Sequence, residues 1–356
     1  MTTFQHVSLI EITRGEIVES VHYGSLCLRS ADGSTLFSLG DMSAPFFLRS
    51  AAKPFQALAF LEQGGADHYQ LEPQEIAILC SSHSGTSAHI EVLEKLQKKV
   101  GIDESMLQCG IHAPYHQASA DQLKREGKTP RPNHNNCSGK HTGMLSFAKM
   151  IGASLDNYLE ASHPVQQAML NTFSEMCAVD KSTVILGVDG CTAPVYAVPL
   201  PAAALAYARL CQPEGLPPMR AAACRAITSA MLTHTDMVAG PERFDTDGML
   251  VGKGAFISKL GAEGCRAIGI MPGAARNLNK SLGLTIKVSD GDRANRATSL
   301  IAISVLRALG ILDEAQAEFL KQYDRRPIIN WQGIEVGEIR PSEELMDALA
   351  ELEVNS

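Results

Sequence analysis

Strand-like segments lie at both ends of the chain, and helical segments fill its middle. Residues 5–48 alternate polar and apolar side chains around the Asp32-Gly33 pair, a strong hairpin signal. Strand patterns return in "FISKLGAEGCRAIGIM", and a long helical run, "RANRATSLIAISVLRALGIL", follows. This order predicts an α/β fold in which a mainly antiparallel central sheet is built from both chain ends.

The length and the order of these segments predict one folding unit. A chain of 356 residues suits a single large α/β unit whose lobes share an interface. We expect that unit to span residues 1–356. Within it, residues 1–85 and 235–356 would form a sheet lobe, and residues 86–234 a helix-rich lobe.

Charge and cysteine content exclude several classes of partner. The net charge of -8 argues against nucleic acid, because phosphate contacts need clustered Lys and Arg. No long uncharged apolar run is present, so no membrane partner is expected. The nine cysteines form no C-x-x-C pair, and most are expected to be small buried residues in a reducing compartment. The N-terminal twenty residues read as a strand and not as a signal peptide, so we expect a cytoplasmic protein.

"LRSAAKPFQA" places a serine three residues before a lysine. One helical turn would bring the Ser50 hydroxyl and the Lys53 amine onto one face, as a nucleophile and its base. The lysine must then be neutral, so burial or a neighbouring cation has to lower its pKa. The same spacing also suits an ordinary helix start. It recurs at Ser146 and Lys149, inside an amphipathic helix, where we interpret it as structural.

Two further segments could complete such chemistry. The apolar run "QEIAIL" is interpreted as a strand. "CSSHSG" closes it with a polar loop, which offers either a second hydroxyl for proton relay or a solvated turn. In "FISKLGAEG", Lys259-Leu260-Gly261 resembles the Lys-Thr-Gly of penicillin-recognising hydrolases and could supply a second ammonium, or simply an exposed lysine in a turn.

A third group of residues has metal-binding character. Residues 128–143 show no helix or strand pattern and are expected to form a structured loop. Cys137 and Lys140 lie in its "CSGKHTG" segment, and Cys191 follows an Asp-Gly pair in "VDGC". Zinc accepts cysteine sulfur readily, whereas a lysine ligand is unusual because its amine must be neutral. Spacing alone leaves a metal site and buried structural thiols both open.

Taken together, these segments resemble the rhizobial-type, or class 3, L-asparaginases. The shared motifs are "LRSAAKPFQA", "CSSHSG", "NHNNCSGKHTGML", "GVDGC" with the "TAP" after it, and "SKLGAEG", in this order from about residue 48 to 264. The resemblance implies a β-lactamase- or glutaminase-like fold. It also implies hydrolysis of L-asparagine to L-aspartate and ammonia through an acyl-enzyme on a Ser-Lys-activated serine.

The resemblance assigns roles to single residues. It implies Ser50 with Lys53 as one catalytic pair and Ser82 with Lys259 as another. Ser50 is favoured for the attack, while Ser82 could be nucleophile or relay. It further implies homodimers and a zinc ion that is not strictly required for the chemistry. The implied zinc ligands are Cys137, Lys140 and Cys191.

Recognition of the amino-acid substrate is expected from three residues. Arg49 adjoins Ser50 and could grip a carboxylate with two N–H donors, and His141 or Asp189 could complete the anchor. The resemblance also implies that Asp189 holds a metal-bound water. The sequence departs from a relative at Asp245, where that relative carries a cysteine, so kinetics or substrate range could differ.

Two other functions stay open at this stage. A glutaminase or another β-lactamase-like amidohydrolase is close, since one methylene changes binding by only about 1–3 kcal/mol. A penicillin hydrolase would need a Ser-Asp-Asn tripeptide, which the chain lacks. The alternative outside enzymes is a zinc- or redox-binding protein that uses Cys137 and Cys191.

Overall fold

A computed structural model describes residues 5–355 of the chain. The first four residues of the expected N-terminal strand lie outside that range. Within it, no helix combines the length and the apolar character that crossing a bilayer requires.

The strands occur mainly near the two chain ends. They are β1 (Val7–Arg14), β2 (Ile17–Ser30), β3 (Thr35–Leu39), β4 (Pro45–Phe47), β5 (Ile185–Val188), β6 (Pro194–Pro199), β7 (Phe256–Leu260), β8 (Cys265–Ile270), β9 (Leu282–Val288), β10 (Arg326–Ile329) and β11 (Glu335–Pro341).

The helices concentrate in the middle of the chain. They are α1 (Lys53–Leu61), α2 (Gly65–Tyr69), α3 (Pro73–Leu79), α4 (Ser87–Val100), α5 (Gln117–Arg125), α6 (Ser138–Met150), α7 (Pro164–Cys177), α8 (Leu200–Cys211), α9 (Pro218–Thr233), α10 (Thr235–Val238), α11 (Phe244–Val251), α12 (Thr298–Ala308), α13 (Glu314–Phe319) and α14 (Glu343–Asn355). A short 3-10 helix, Arg49–Ala52, directly precedes α1.

The chain divides into two compact units. The first comprises Met1–Leu48, Val198–Gln212 and Gly248–Ser356, and the second comprises Arg49–Ala197 and Pro213–Asp247. These limits differ from the lobes expected from sequence, because α8 joins the sheet while the segment before residue 86 joins the helices.

The first unit is built on an antiparallel sheet of eight described strands. Their order is β10-β11-β1-β2-β9-β8-β7, with β3 also paired to β2. Helix α8 packs on β2, β8 and β9. That approach requires Gly283 on β9, because a Cβ there would lie 1.8 Å from the carbonyl oxygen of Ala204. The expectation of a mixed α/β fold, with an antiparallel sheet from both chain ends, is confirmed.

The second unit is a cluster of helices around α1. Helix α1 packs against α6, α7 and α9, while α3 packs against α4, α6 and α9. All nine residues of α1 are buried, as expected of a helix that is largely apolar around its circumference. A β5–β6 hairpin, with Leu186 opposite Tyr196, carries the turn that contains Asp189 and Cys191.

Two local expectations are wrong. The run "QEIAIL", interpreted as a strand, forms α3, whose start is fixed by Pro73 and by a capping box between Glu72 and Glu75. A short apolar run fits a buried helix as well as a strand. Residues 128–143 were expected to form a loop, but α6 begins within them at Ser138.

Candidate active site

The site of the second unit centres on a buried lysine. Lys53, the first residue of α1, is 1% exposed. Its Nζ donates hydrogen bonds to the Ser81 carbonyl oxygen (2.6 Å), to Ser82 Oγ (2.9 Å) and to the Asn136 carbonyl oxygen (3.2 Å). The structure therefore brings Lys53 together with Ser82, across two segments far apart in sequence.

Burial lowers the pKa of Lys53, since a buried ammonium loses its hydration. The ammonium of Lys140 adds to this lowering, and Cys137 opposes it. The direction is the one that a lysine base needs in order to be neutral near physiological pH.

Ser50 lies on the 3-10 helix before α1 and is half-buried. Its hydroxyl makes no hydrogen bond with any residue in the described range. The expected Ser50–Lys53 segment is thus helical, but Lys53 contacts Ser82 and leaves the Ser50 hydroxyl available.

Arg49 and Asp189 form an ion pair beside Ser50. Arg49 Nε donates to Asp189 Oδ1 over 2.7 Å, and the two side chains are 27% and 10% exposed. Burial alone would raise the pKa of Asp189, but Lys140 and Arg49 outweigh burial and lower it. Arg49 also has a positive φ of 52°, a strained conformation for a residue other than glycine.

Cys137, Lys140 and Cys191 also come together. Lys140 is 4% exposed, and its Nζ donates to Cys191 Sγ over 2.9 Å. A hydrogen bond from Cys191 lowers the pKa of Cys137 well below that of a free thiol and raises that of Cys191. Burial would lower the pKa of Lys140, but Cys137 and Cys191 outweigh it and raise that pKa.

This trio provides two sulfurs and one amine. Such donors fit zinc, which prefers sulfur and nitrogen, provided that Lys140 gives up its proton. Over residues 5–355, no group of three or more His, Cys, Asp and Glu side chains could hold a metal ion. A zinc site here would therefore need the lysine nitrogen as its third protein donor.

Helix α6 positions both Lys140 and His141. It packs tightly on α3 at Gly139. Any larger residue would clash there, because a Cβ at this position would lie 2.1 Å from the carbonyl oxygen of Ile78. His141 is fully buried, and its Nδ1 lies 2.7 Å from the Tyr158 hydroxyl. Burial, with Lys140 and Lys53 nearby, lowers the pKa of His141 far below its usual value.

Lys259 and Asp245 are both buried. Lys259 belongs to the first unit, where it is fully buried on β7, and its Nζ donates to the Leu260 carbonyl oxygen over 3.0 Å. Asp245 is 2% exposed near the start of α11, in the second unit.

Sequence reasoning missed two residues of the site. Asn136 contributes a carbonyl oxygen to Lys53, and Tyr158 contacts His141. "NHNNCSGKHTG" did single out the segment that contains Asn136, but not its contact with Lys53. Tyr158 lies outside every motif, so no local pattern pointed to it.

Comparisons with known proteins identify the family of the chain. The sequence model described as L-asparaginase II matches residues 10–341. Among curated proteins, no sequence matches the chain.

The solved structures that are similar to this chain include two at 13% identity. The native form of Mglu has a TM-score of 0.39, and the similarity covers 76% of this chain but only 59% of Mglu. The Bacillus subtilis glutaminase YbgJ, in its covalent complex with 5-oxo-L-norleucine, has a TM-score of 0.34 over 74% of this chain and 79% of the glutaminase. At these TM-scores, neither similarity bears on the activity.

Proposed function

Since the chain belongs to the L-asparaginase II family and is thereby an amidohydrolase acting on asparagine, we propose that its reaction depends on a serine activated by Lys53. The observation that carries this proposal is the contact of the buried Lys53 Nζ with Ser82 Oγ. When neutral, the Lys53 amine keeps two N–H to donate to the Ser81 and Asn136 carbonyl oxygens. Its lone pair can then accept, through Ser82, the proton that a serine hydroxyl must lose before it attacks.

The Arg49–Asp189 pair suits the two charged ends of an amino acid. We propose that Arg49 binds the α-carboxylate of asparagine and Asp189 its α-ammonium, and that His141 also contacts the substrate. Each charge of the ion pair then gains an opposite charge from the substrate, which leaves neither unpaired in this largely buried place.

The proposed reaction has two steps. Ser50 Oγ attacks the side-chain amide carbon, and its proton passes to Lys53 through Ser82. The C–N bond then breaks, the leaving nitrogen takes that proton as ammonia departs, and an ester to the serine remains. Water hydrolyses the ester and releases aspartate. Lys259 is proposed, from the resemblance alone, as a second cation.

Zinc is proposed to bind Cys137, Cys191 and the Lys140 nitrogen. When bound, it would supply a positive charge that orients the substrate. Support comes from the two thiols and the amine that meet here.

Metal analysis of the purified protein should find zinc, and Cys137→Ser and Cys191→Ser should each lose most of it. The control is Cys224→Ser, a buried cysteine on α9. Zinc retained in both site variants would contradict the assignment.

We also propose a cytoplasmic homodimer that acts on a small amino acid and binds neither nucleic acid nor membrane. The nine cysteines all lie within the described residues and form no disulfide there, which supports a reducing compartment. Light scattering after gel filtration and fractionation of cells test these two statements. A monomer at micromolar concentration, or an exported protein, would contradict them.

The main test measures ammonia release from asparagine and from glutamine. We expect asparagine to be preferred, and Ser50→Ala and Lys53→Met each to abolish release while the protein stays folded. A preference for glutamine would favour the glutaminase alternative. Zinc binding without any ammonia release would favour a binding protein. Full activity in either variant would end the Ser-Lys assignment.

A second measurement identifies the attacking serine. A diazoketone analogue of asparagine should label the nucleophile covalently, and mass spectrometry of the digested protein then locates the label. We expect it on Ser50. A label on Ser82 would exchange the roles of the two hydroxyls.

A further inference from the structure

We propose that Tyr158 is a positioning residue: it holds His141 with the ring proton on Nε2, so that this N–H donates to an oxygen of the bound substrate. The substrate part rests on the proposed function, whereas the position of the proton does not.

The hydrogen bonds around the Tyr158 hydroxyl determine where its proton lies. The backbone N–H of Gln108 donates to the hydroxyl oxygen over 2.9 Å, and a backbone N–H can only donate. The second neighbour is His141 Nδ1 at 2.7 Å, and the described residues provide no third. Among the described residues, Nδ1 is then the one acceptor within reach of the hydroxyl proton, so we infer that the hydroxyl donates to Nδ1. Because Nδ1 accepts, the proton of the neutral ring is on Nε2.

Tyr158 is well fixed for this task. It is fully buried, and its ring meets the His141 ring edge to face, with centroids 5.7 Å apart at 87°. Gln166 Nε2 donates to the Tyr158 carbonyl oxygen, and Gln108 Nε2 to that of Asp156. These bonds tie down an irregular segment between α6 and α7, so the hydroxyl stays in place.

The other ring nitrogen has the character of an unused donor. His141 Nε2 is buried, and in the part of the chain that the structure describes it has no hydrogen-bond partner. A buried donor without a partner costs free energy, so such groups call for an explanation. The charged groups that act on this ring are Lys140 and Lys53, both of the site. A substrate oxygen is the acceptor that such a place would receive.

The fixed proton also sets what this position can recognise. With hydrogen on Nε2 the ring donates to a carboxylate or amide oxygen. With hydrogen on Nδ1 it would instead accept from an ammonium or amide nitrogen. By fixing the proton on Nε2, Tyr158 therefore makes His141 bind an oxygen of the substrate and not a nitrogen.

Nitrogen-15 NMR of the protein with labelled histidine tests the proton position directly. The His141 signals are identified by their absence from His141→Gln. We expect a protonated Nε2 in the wild type and a shift away from this state in Tyr158→Phe. The control is Tyr69→Phe, which removes a hydroxyl bonded over 3.1 Å to the Ser146 carbonyl oxygen of the same helix, α6. It should leave the His141 signals unchanged. A protonated Nδ1 in the wild type, or no shift in Tyr158→Phe, would overturn the proposal.

Kinetics test the substrate part. Tyr158→Phe should raise KM for asparagine about tenfold, the usual effect of one weakened hydrogen bond, with a smaller change in kcat. Tyr69→Phe should change neither. In His141→Gln, whose amide N–H can replace Nε2–H without help from the tyrosine, adding Tyr158→Phe should change KM no further.

The outcomes separate the two proposals. An equal rise of KM on adding Tyr158→Phe to His141→Gln would assign Tyr158 a merely structural role and overturn this inference. A wild type that releases no ammonia would contradict the proposed function and the substrate part, while the NMR result still decides the proton position.

Discussion

Two segments of the second unit share the spacing Ser-x-x-Lys, and their lysines have opposite surroundings. Lys53 is 1% exposed, and its Nζ contacts Ser82 Oγ and two carbonyl oxygens. Lys149 is an exposed residue whose Nζ donates to the carbonyl oxygens of Val100 and Gly101, at the end of α4.

The serines differ in the same way. Ser146 Oγ donates to the Thr142 carbonyl oxygen over 2.7 Å, inside its own helix, so its proton is already committed. Ser50 precedes its helix and has no such acceptor within the described residues. Spacing places both pairs on a helical turn. Burial and the partners from other segments separate the reactive pair from the structural one.

The largest effect should come from removing the lysine base. Lys53→Met should lower kcat/KM for asparagine by about 10³-fold, within the range of roughly 10²–10⁴-fold that general bases contribute. Lys53→Arg should be as inactive, since a guanidinium keeps its proton. Lys149→Arg should retain full activity in the same ammonia assay. Activity of Lys53→Arg near that of the wild type would contradict a neutral lysine.

A smaller loss is expected when the contacted hydroxyl is removed. Ser82→Ala deletes the oxygen 2.9 Å from Lys53 Nζ and should lower kcat about 10²-fold. Ser146→Ala is its matched control and should stay within about twofold, because its hydroxyl serves only a helix carbonyl. Similar rates for both alanine variants would show that the contact with Lys53 is not used.

The smallest effect concerns stability alone. Lys149→Met removes two hydrogen bonds at the end of α4 and should lower the free energy of unfolding by at most about 1 kcal/mol. Denaturation in urea measures this loss, and ammonia release should be unchanged. A large fall in activity without unfolding would mean that Lys149 also serves the reaction.

The sequence predicted the antiparallel sheet because alternation along β1 and β2 is a regular, local signal. It predicted a strand where α3 lies, since a short apolar run does not distinguish a buried strand from a buried helix. The start of α6 was missed because Gly139 and the polar residues around it are unusual in a helix. There the close packing against Ile78, which glycine allows, outweighs the low helix propensity of glycine.

The site shows the same division between local and distant information. Ser50 and Lys53 are neighbours in sequence, so their motif could be identified. The contact of Lys53 with Ser82 joins residues 29 positions apart, and that of Lys140 with Cys191 joins residues 51 apart. Such contacts depend on how helices pack, which no local pattern encodes. The resemblance to a known family named these residues, but it could not indicate Tyr158.

The complete burial of α1 determines when the side chain of Lys53 loses its rotational freedom. A lysine side chain loses about 2 kcal/mol of rotational freedom when it is held in one conformation. On an exposed loop, this loss would recur whenever a substrate bound. Lys53 instead starts a helix whose nine residues are all buried, and its amine is held by three oxygens. Its ordering therefore occurs once, during folding, and every later turnover begins with the base already in place.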